Sequence, residues 1–272
     1  PWGKHPLLEA ALAILEPPEG MDLEIRVRSD APPGAGTGTS AAVTVALLGA
    51  LDALRGSRHT PLQIAALAQR VETEKLGRQC GIQDQIASAH GGVTFIDMPA
   101  YPEATVSRVM APDHALRALE ERLLLVYLGR SHDSSAIHET VIRGLEDAGP
   151  DSPAIAELRT FASTARDAFA SGDFESLART MRDSTEAQAR LHPGLIGAEA
   201  RRVISHAIDK GVPGFKVNGA GGEGGSLTLL TQKDPAARAT LASELRALDP
   251  AFRIIPVRVH ADGLRVSVEE VA

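Results

Sequence analysis

The 272-residue sequence lacks the features that mark several large classes of protein. It contains a single cysteine, Cys80, which excludes a disulfide framework within the chain and favours a reducing compartment. There is no run of about 18 apolar residues, so we expect no membrane-spanning helix. The basic residues are scattered and the formal net charge is −7, which argues against nucleic acid as a partner. We therefore expect a cytoplasmic protein without membrane or nucleic-acid partners.

The start of the chain lacks an initiator methionine and any signal-like segment, since it reads Pro1-Trp2-Gly3-Lys4-His5. We therefore expect further sequence upstream of Pro1. The 272 residues have room for one large or two ordinary domains, and they contain no internal repeat and no low-complexity tract.

Apolar periodicity and turn residues predict a mixture of helices and strands. Helices are predicted at 5–15, 40–54, 60–76, 134–147, 153–170, 173–191, 195–210 and 235–248. Strands are predicted at 23–27, 93–97, 105–110, 123–128, near 215, and at 226–231, 252–260 and 264–268. Because these elements mix without a regular βαβ rhythm, the pattern favours an α+β fold over a doubly wound sheet.

A glycine-rich stretch precedes the second predicted helix, where residues 29–51 read SDAPPGAGTGTSAAVTVALLGAL. A helix start carries unpaired N–H groups and the positive end of the helix dipole, so a loop poor in side chains lets a phosphate approach closely. The hydroxyls of Thr37, Thr39 and Ser40 add donors, or a ligand for a phosphate-bound Mg²⁺. A plainer alternative is a tight turn with Thr39 or Ser40 as the N-cap.

Two named nucleotide-binding loops are excluded by their sequence context. The P-loop pattern G-x-x-x-x-G-K-[ST] does not occur. The dinucleotide fingerprint is matched formally at 36–41 and at 219–224. The first match is separated from its strand by the segment Ala31-Pro32-Pro33-Gly34-Ala35, and its candidate acid, Asp52, falls inside a predicted helix. The second match precedes a predicted strand. A nicotinamide-dependent oxidoreductase is therefore disfavoured.

Three separated segments together resemble the GHMP family of small-molecule kinases. They are PPGAGTGTSAA at 32–42, Glu72 with GIQDQ at 81–85, and KVNGAG at 216–221. The sequence departs from the usual P-x-x-x-G-L-G-S-S-A-A at Thr37 and Thr39, and GAGGEGG carries one residue more than the usual third motif. The segments 71–92 and 123–142 look most like the sugar-kinase branch, which includes galactokinases and heptose 7-phosphate kinases. The family's first motif has no match and should precede Pro1.

The resemblance implies a two-domain α+β fold, with an N-terminal ATP-binding domain (1–120) like domain 2 of ribosomal protein S5 and a ferredoxin-like C-terminal domain (121–272). It implies ATP and Mg²⁺ as cofactors, a sugar or sugar phosphate as substrate, and is compatible with a homodimer. Ser40 and Glu72 would hold Mg²⁺, and Asp84 would be the base that faces the sugar hydroxyl. The nucleotide would bind at Pro33, Gly34, Ala35, Gly36, Thr37, Gly38, Thr39, Ser40, Gly219, Ala220 and Gly221.

Each of these assignments has an alternative. Glu74 is a rival to Glu72 on the same predicted helix, and Asp84 could be a first-turn acid that pairs with the helix dipole. The glycines of 219–225 would also suit a hairpin turn. Because an acid next to a phosphate site would be repulsive, we expect Glu223 to face solvent. Two other functions remain open: a nucleotide-binding sensor that has lost phosphoryl transfer, and a kinase for a non-sugar alcohol.

Overall fold

The computed structural model describes residues 2–32, 34–112, 114–130, 135–146, 152–219 and 221–269. The chain forms two compact units, one of residues 1–32, 38–108 and 259–272, and the other of residues 33–37 and 109–258. The division at residue 120 drawn from the sequence differs from these units in three ways. The chain changes unit at 108/109, residues 33–37 belong to the second unit, and residues 259–272 belong with the N-terminal part.

The first unit is built from four helices and a two-stranded sheet. The helices are α1 (Pro6–Ile14), α2 (Thr39–Leu54), α3 (Pro61–Arg70) and α4 (Gln83–His90), and the antiparallel strands are β1 (Thr94–Ala100) and β2 (Glu103–Arg108). Apolar faces of the helices form its core, which includes Leu48, Ile64 and Ile86. A capping box between Thr60 and Gln63 starts α3, as the Thr60-Pro61 pair predicts.

The second unit packs helices against a four-stranded antiparallel sheet. Its helices are α5 (Ala115–Arg122), α6 (Ser135–Glu146), α7 (Pro153–Ser171), α8 (Phe174–Leu191), α9 (Ala198–Asp209) and α10 (Pro235–Leu248). Its strands are β3 (Leu123–Tyr127), β4 (Gly214–Val217), β5 (Ser226–Leu230) and β6 (Arg253–Ile255), in the spatial order β4-β5-β3-β6. From β3 onward the chain follows β-α-β-β-α-β, with the four helices α6 to α9 in the place of the first helix. This is an expanded form of the ferredoxin-like arrangement expected for the C-terminal domain.

The core of the second unit lies between its sheet and its helices. Both central strands contribute fully buried side chains, such as Val126 of β3 and Leu227 and Leu229 of β5, and helices α9 and α10 cover them with Val203 and Leu245. Since α8 packs directly on β4, the end of that edge strand is held against a helix. The glycine-rich turn between β4 and β5 begins there.

Two predicted strands do not form within the described residues. The alternating segment 23–27 has no hydrogen-bonded strand partner, and Leu23, Ile25 and Val27 are exposed. Residues 264–268 are also outside any strand, although the Leu264 N–H donates to the carbonyl of Ala89. The prediction was wrong here because alternation reports only a face suited to pairing, whereas a strand also needs a neighbour to pair with. None of the helices in the described part of the chain has both the length and the hydropathy needed to cross a bilayer.

Candidate active site

The start of α2 has no side-chain cap. Its N-cap residue is Gly38, in the left-handed conformation with φ 71° and ψ 21°, and not Thr39 or Ser40 as the plainer alternative required. Gly38 therefore offers no side chain that could accept hydrogen bonds from the backbone N–H groups of the first turn, and the Ser40 side chain is not used as an N-cap. This is the open helix start expected at a phosphate-binding loop.

The loop before Gly38 alternates the sign of φ. Gly34 and Gly36 have φ values of 69° and 67°, while the intervening Ala35 and Thr37 do not have positive φ. Alternation of this kind is typical of anion-binding loops, in which successive backbone N–H groups face the same side of the chain. Positive φ at every second position explains why glycine recurs there. Pro33, also predicted to contact the nucleotide, lies outside the described residues.

A π-helical turn follows α3 and carries Glu72. The turn spans Val71–Lys75, and its wider hydrogen bonding includes donation from the Leu76 N–H to the Val71 carbonyl. The sequence predicts an uninterrupted helix through residue 76, so it missed this turn. Single π-turns within helices are frequent at functional sites because they change which side chains face inward.

Glu72 and its rival Glu74 have opposite environments. The Glu72 side chain is buried, with the residue only 7% exposed, whereas Glu74 is exposed and accepts hydrogen bonds from Arg70 at 2.8 and 3.0 Å. Burial raises the pKa of the Glu72 carboxyl, and the positive charge of Arg78 offsets part of that rise. Hydrogen bonds from Gln85 and Ser40 also lower the pKa of the Glu72 carboxyl. Of the two acids, Glu72 is therefore the one that faces Ser40.

Asp84 is in the first turn of α4 and contacts Gly38. A Cβ atom added to Gly38 would lie 3.1 Å from Cγ and 3.3 Å from Oδ2 of Asp84, so the carboxyl group packs on the bare glycine backbone. Asp84 keeps access to solvent, but the surrounding protein displaces part of its hydration and raises the pKa of the carboxyl. Its negative charge also helps to raise the pKa of Glu72, so the two acids act on each other electrostatically.

Gln85 donates a hydrogen bond to the Glu72 carboxyl, a role that the sequence did not suggest. Its Nε2 donates to Glu72 Oε1 at 3.2 Å, and its side chain is almost fully buried at 2% exposure. The same amide contacts the sulfur of Cys80 at 3.9 Å. Burial raises the pKa of the Cys80 thiol to about 11, so the thiol stays protonated at neutral pH.

The turn between β4 and β5 requires glycine because other backbone segments approach it closely. A Cβ at Gly221 would lie 1.8 Å from the Leu195 carbonyl oxygen, and one at Gly224 would lie 2.6 Å from that of Arg130. The turn is a hairpin connection, as the alternative reading proposed, but its glycines also permit these contacts. Glu223 is exposed, as expected, and the predicted contact residue Ala220 lies outside the described residues.

This turn also meets the phosphate loop. A Cβ at Gly219 would lie 3.8 Å from the Gly36 carbonyl oxygen, and one at Gly36 would lie 3.8 Å from that of Asn218. The two backbones are therefore neighbours, with no side chain between them. Two of the predicted nucleotide-contacting segments are thus brought together by backbone packing.

Asp52, the candidate acid of the dinucleotide fingerprint, has a local structural role. It is buried and accepts hydrogen bonds from the N–H groups of Arg58 and His59 and from the His59 ring, which hold the connection between α2 and α3. These contacts occupy its carboxylate, which argues further against a dinucleotide site.

Comparisons with known proteins agree with this architecture. Residues 6–92 match the family described as GHMP kinases N terminal domain. The solved D-glycero-D-manno-heptose 1-phosphate kinase from Bacteriodes thetaiotaomicron aligns over 98% of this chain and 76% of its own, with a TM-score of 0.70 and 20% identity. Galactokinase from Lactococcus lactis, solved with galactose, aligns over 95% of this chain and 72% of its own, with a TM-score of 0.69 and 18% identity.

These similarities define an α+β protein with the two-domain fold of GHMP kinases. The family match covers residues 6–92, and over the rest of the chain the similarity to the solved kinases is one of fold.

Sequence relatives within the superfamily have different acceptors. The chain is 27% identical over 229 residues to D-glycero-alpha-D-manno-heptose 7-phosphate kinase of Campylobacter jejuni, covering 83% of this chain and 66% of that protein. It is 45% identical over 75 residues to mevalonate kinase of Methanothermobacter thermautotrophicus, covering 28% of this chain and 24% of that protein. The chain thus aligns with less than two thirds of the length of either relative.

Because Gly38 contacts Asp84, we expect Gly38→Ala to lower the free energy of unfolding more than Gly20→Ala does. Gly20→Ala should cost about 1–2 kcal/mol, because Gly20 has φ 76° but open space around its Cα. Gly38→Ala should cost about 1 kcal/mol more, since its Cβ also crowds Asp84. Chemical denaturation of both variants measures the difference, and equal losses would contradict the contact.

Because Glu72 is buried, we expect that replacing it with a neutral side chain will stabilise the protein, and that the gain will depend on pH. The raised pKa means that the folded state holds the carboxyl proton more tightly than the unfolded state, in which the pKa is about 4.3. Ionised Glu72 therefore lowers stability as the pH rises from that value through the folded pKa. The thermal midpoint of Glu72→Gln should exceed that of the unmodified protein at pH 7.5, and the gap should close toward pH 4.

Glu74→Gln is the matched control for this measurement. It removes an exposed carboxylate whose pKa the Arg70 partner lowers, so stability should fall slightly at neutral pH. A Glu72→Gln midpoint below that of the unmodified protein at pH 7.5 would contradict the account of Glu72.

Proposed function

We propose that this protein is an ATP-dependent and Mg²⁺-dependent kinase that transfers the γ-phosphoryl group of ATP to a hydroxyl group of a sugar or sugar phosphate. The observation that carries the proposal is the convergence of two acids at the uncapped start of α2. Buried Glu72 faces Ser40, and Asp84 packs on Gly38. A phosphate group and a proton-accepting carboxylate can therefore meet at one helix start, which is the arrangement that phosphoryl transfer needs.

The donor set suits a magnesium ion. Mg²⁺ prefers oxygen ligands and usually binds one or two protein groups together with the phosphates of a nucleotide. Glu72 offers a carboxylate and Ser40 a hydroxyl, and the two already share a hydrogen bond. A cation would also offset the cost of keeping the Glu72 carboxylate charged while buried. When bound, Mg²⁺ would neutralise charge that develops on the transferring group.

Asp84 is the proposed base. The reaction joins the acceptor oxygen to the γ-phosphorus, breaks the bond from that phosphorus to the ADP oxygen, and releases the hydroxyl proton. Asp84 can accept that proton because its carboxyl keeps access to solvent and lies against the α2 start. Since its pKa is raised, the loss of activity at acidic pH should begin above the range of an ordinary aspartate. The alternating N–H groups of the loop would orient the phosphates.

Sugar phosphates are the favoured acceptor class because two lines of resemblance coincide. Segment 71–92 looks like that of the sugar-kinase branch and segment 123–142 like that of the heptose kinases, and the heptose 7-phosphate kinase relative aligns over 83% of this chain. Mevalonate, a non-sugar alcohol, is the second candidate because the mevalonate kinase relative reaches 45% identity over 75 residues. A sensor that has lost transfer is disfavoured because both Glu72 and Asp84 are retained.

The proposal predicts that Asp84→Asn separates nucleotide binding from transfer. The amide keeps the size of the side chain but cannot accept the hydroxyl proton, so the turnover number should fall by about 10²-fold to 10⁴-fold. The dissociation constant of Mg²⁺-ATP, measured by calorimetry, should change less than about threefold because the loop is intact.

Asp97→Asn is the control, since Asp97 is an exposed residue of β1. It should leave both quantities unchanged. Unaltered turnover in Asp84→Asn would remove Asp84 from its role as base, and failure of the unmodified protein to bind Mg²⁺-ATP would contradict the proposed function itself.

A further inference from the structure

A partly buried lysine lies behind the glycine-rich turn of the second unit. Lys216, in β4, donates from Nζ to Oε1 of Gln188 at 2.6 Å and to the carbonyl of Val217 at 2.9 Å. Neither partner carries a charge, and Lys216 belongs to none of the ion pairs among the described residues. Burial lowers the pKa of its ammonium group to about 8, so it remains mostly protonated at neutral pH. A lysine in such a position costs stability and calls for another explanation.

Gln188 connects this lysine to the turn. Its side chain is buried in α8, and its Nε2 donates to the Gly219 carbonyl at 3.1 Å. One turn earlier on the same helix, the Thr185 hydroxyl donates to the Phe215 carbonyl at 3.2 Å, which anchors α8 to β4 beside Lys216. The amide of Gln188 is therefore held between a fixed strand and the start of the turn.

The charge of Lys216 decides which way that amide points. An ammonium group can only donate hydrogen bonds, so it selects the oxygen of Gln188 and leaves the nitrogen to face Gly219. If the amide were reversed, the Gln188 side-chain oxygen would face the Gly219 carbonyl oxygen, and neither could donate a hydrogen bond. The Gly219 backbone in turn packs beside Gly36 of the phosphate loop.

We propose that Lys216 is a positioning residue for nucleotide binding, which through Gln188 fixes the Gly219 turn and thereby the loop backbone at Gly36. The inference rests on the proposed function, because it assumes that this loop binds the phosphates of ATP. Lys216 itself acts at a distance from the nucleotide, through two hydrogen bonds and one backbone contact.

The first test is a double-mutant cycle on nucleotide affinity. Lys216→Met and Gln188→Leu each break the connection, so each should weaken ATP binding about tenfold in calorimetry. The double variant should bind no more weakly than the weaker single variant, because both changes remove the same connection. In kinetics the KM for ATP should rise, while kcat changes less than about twofold. Additive losses in the double variant would overturn the proposal.

Gln188→Glu separates positioning from structural support. The carboxylate keeps and strengthens the bond to Lys216, so the thermal midpoint should not fall, but it cannot donate to the Gly219 carbonyl. ATP binding should therefore weaken about tenfold in a fully folded protein. Lys233→Met, which removes an exposed lysine paired with Glu121 at 3.1 Å, is the control and should bind ATP normally.

The outcomes distinguish this inference from the proposed function. If the unmodified protein binds ATP and the Lys216→Met and Gln188→Glu variants bind it as well as Lys233→Met does, the positioning role is wrong and the kinase proposal stands. If the unmodified protein does not bind ATP, the proposed function has failed, and with it the premise of this inference.

Discussion

The close packing of the Asp84 carboxyl group on the bare backbone of Gly38 is the constraint on which the candidate site depends. Glycine is favoured because the residue has positive φ and because a Cβ would crowd the carboxyl group at 3.1 Å. The start of α2 consequently has no side-chain cap, so its N–H groups can receive an anionic ligand, while an acid that could accept a proton lies beside them. In the proposed function, anion binding and base chemistry would therefore share one local geometry at Gly38.

Charged groups in unfavourable surroundings recur in both units. Glu72 is buried in a π-turn, and Lys216 has only neutral hydrogen-bond partners among the described residues. Each costs folding free energy that an apolar or amide side chain would not. Proteins retain such groups where function needs them, and perturbed pKa values concentrate at functional sites for that reason. Glu72 is explained by a cation that it would hold, and Lys216 by the orientation it imposes on Gln188. The two groups lie in different units of the fold, and the explanation of Lys216 rests on the same proposed nucleotide site as that of Glu72.

Much of the fold was predictable because local chemistry marks the ends of its elements. The Thr60-Pro61 pair predicted the start of α3. The bounds of α7, α8 and α10 fell within two residues of those predicted. The π-turn at 71–75 was not predictable, since its hydrogen bonding differs from that of an α-helix without a distinct sequence signal. The pairing of Lys216 with Gln188 joins residues 28 apart and leaves no local pattern. Glu72 and Asp84 were identified by motif resemblance, but only the structure distinguishes buried Glu72 from exposed Glu74.

Phosphoryl transfer to a defined acceptor tests the account most directly. The measurement is ADP release by the unmodified protein with Mg²⁺-ATP across hexoses, heptoses, their phosphates and mevalonate, with each acceptor weighed by mass spectrometry for the gain of one phosphoryl group. The account predicts one strongly preferred sugar or sugar phosphate, with ADP and phosphorylated acceptor formed in equal amounts. Transfer to mevalonate alone would keep the kinase and replace its acceptor class. Binding of ATP without transfer to any acceptor would contradict the central claim that Glu72 and Asp84 form a phosphoryl-transfer site.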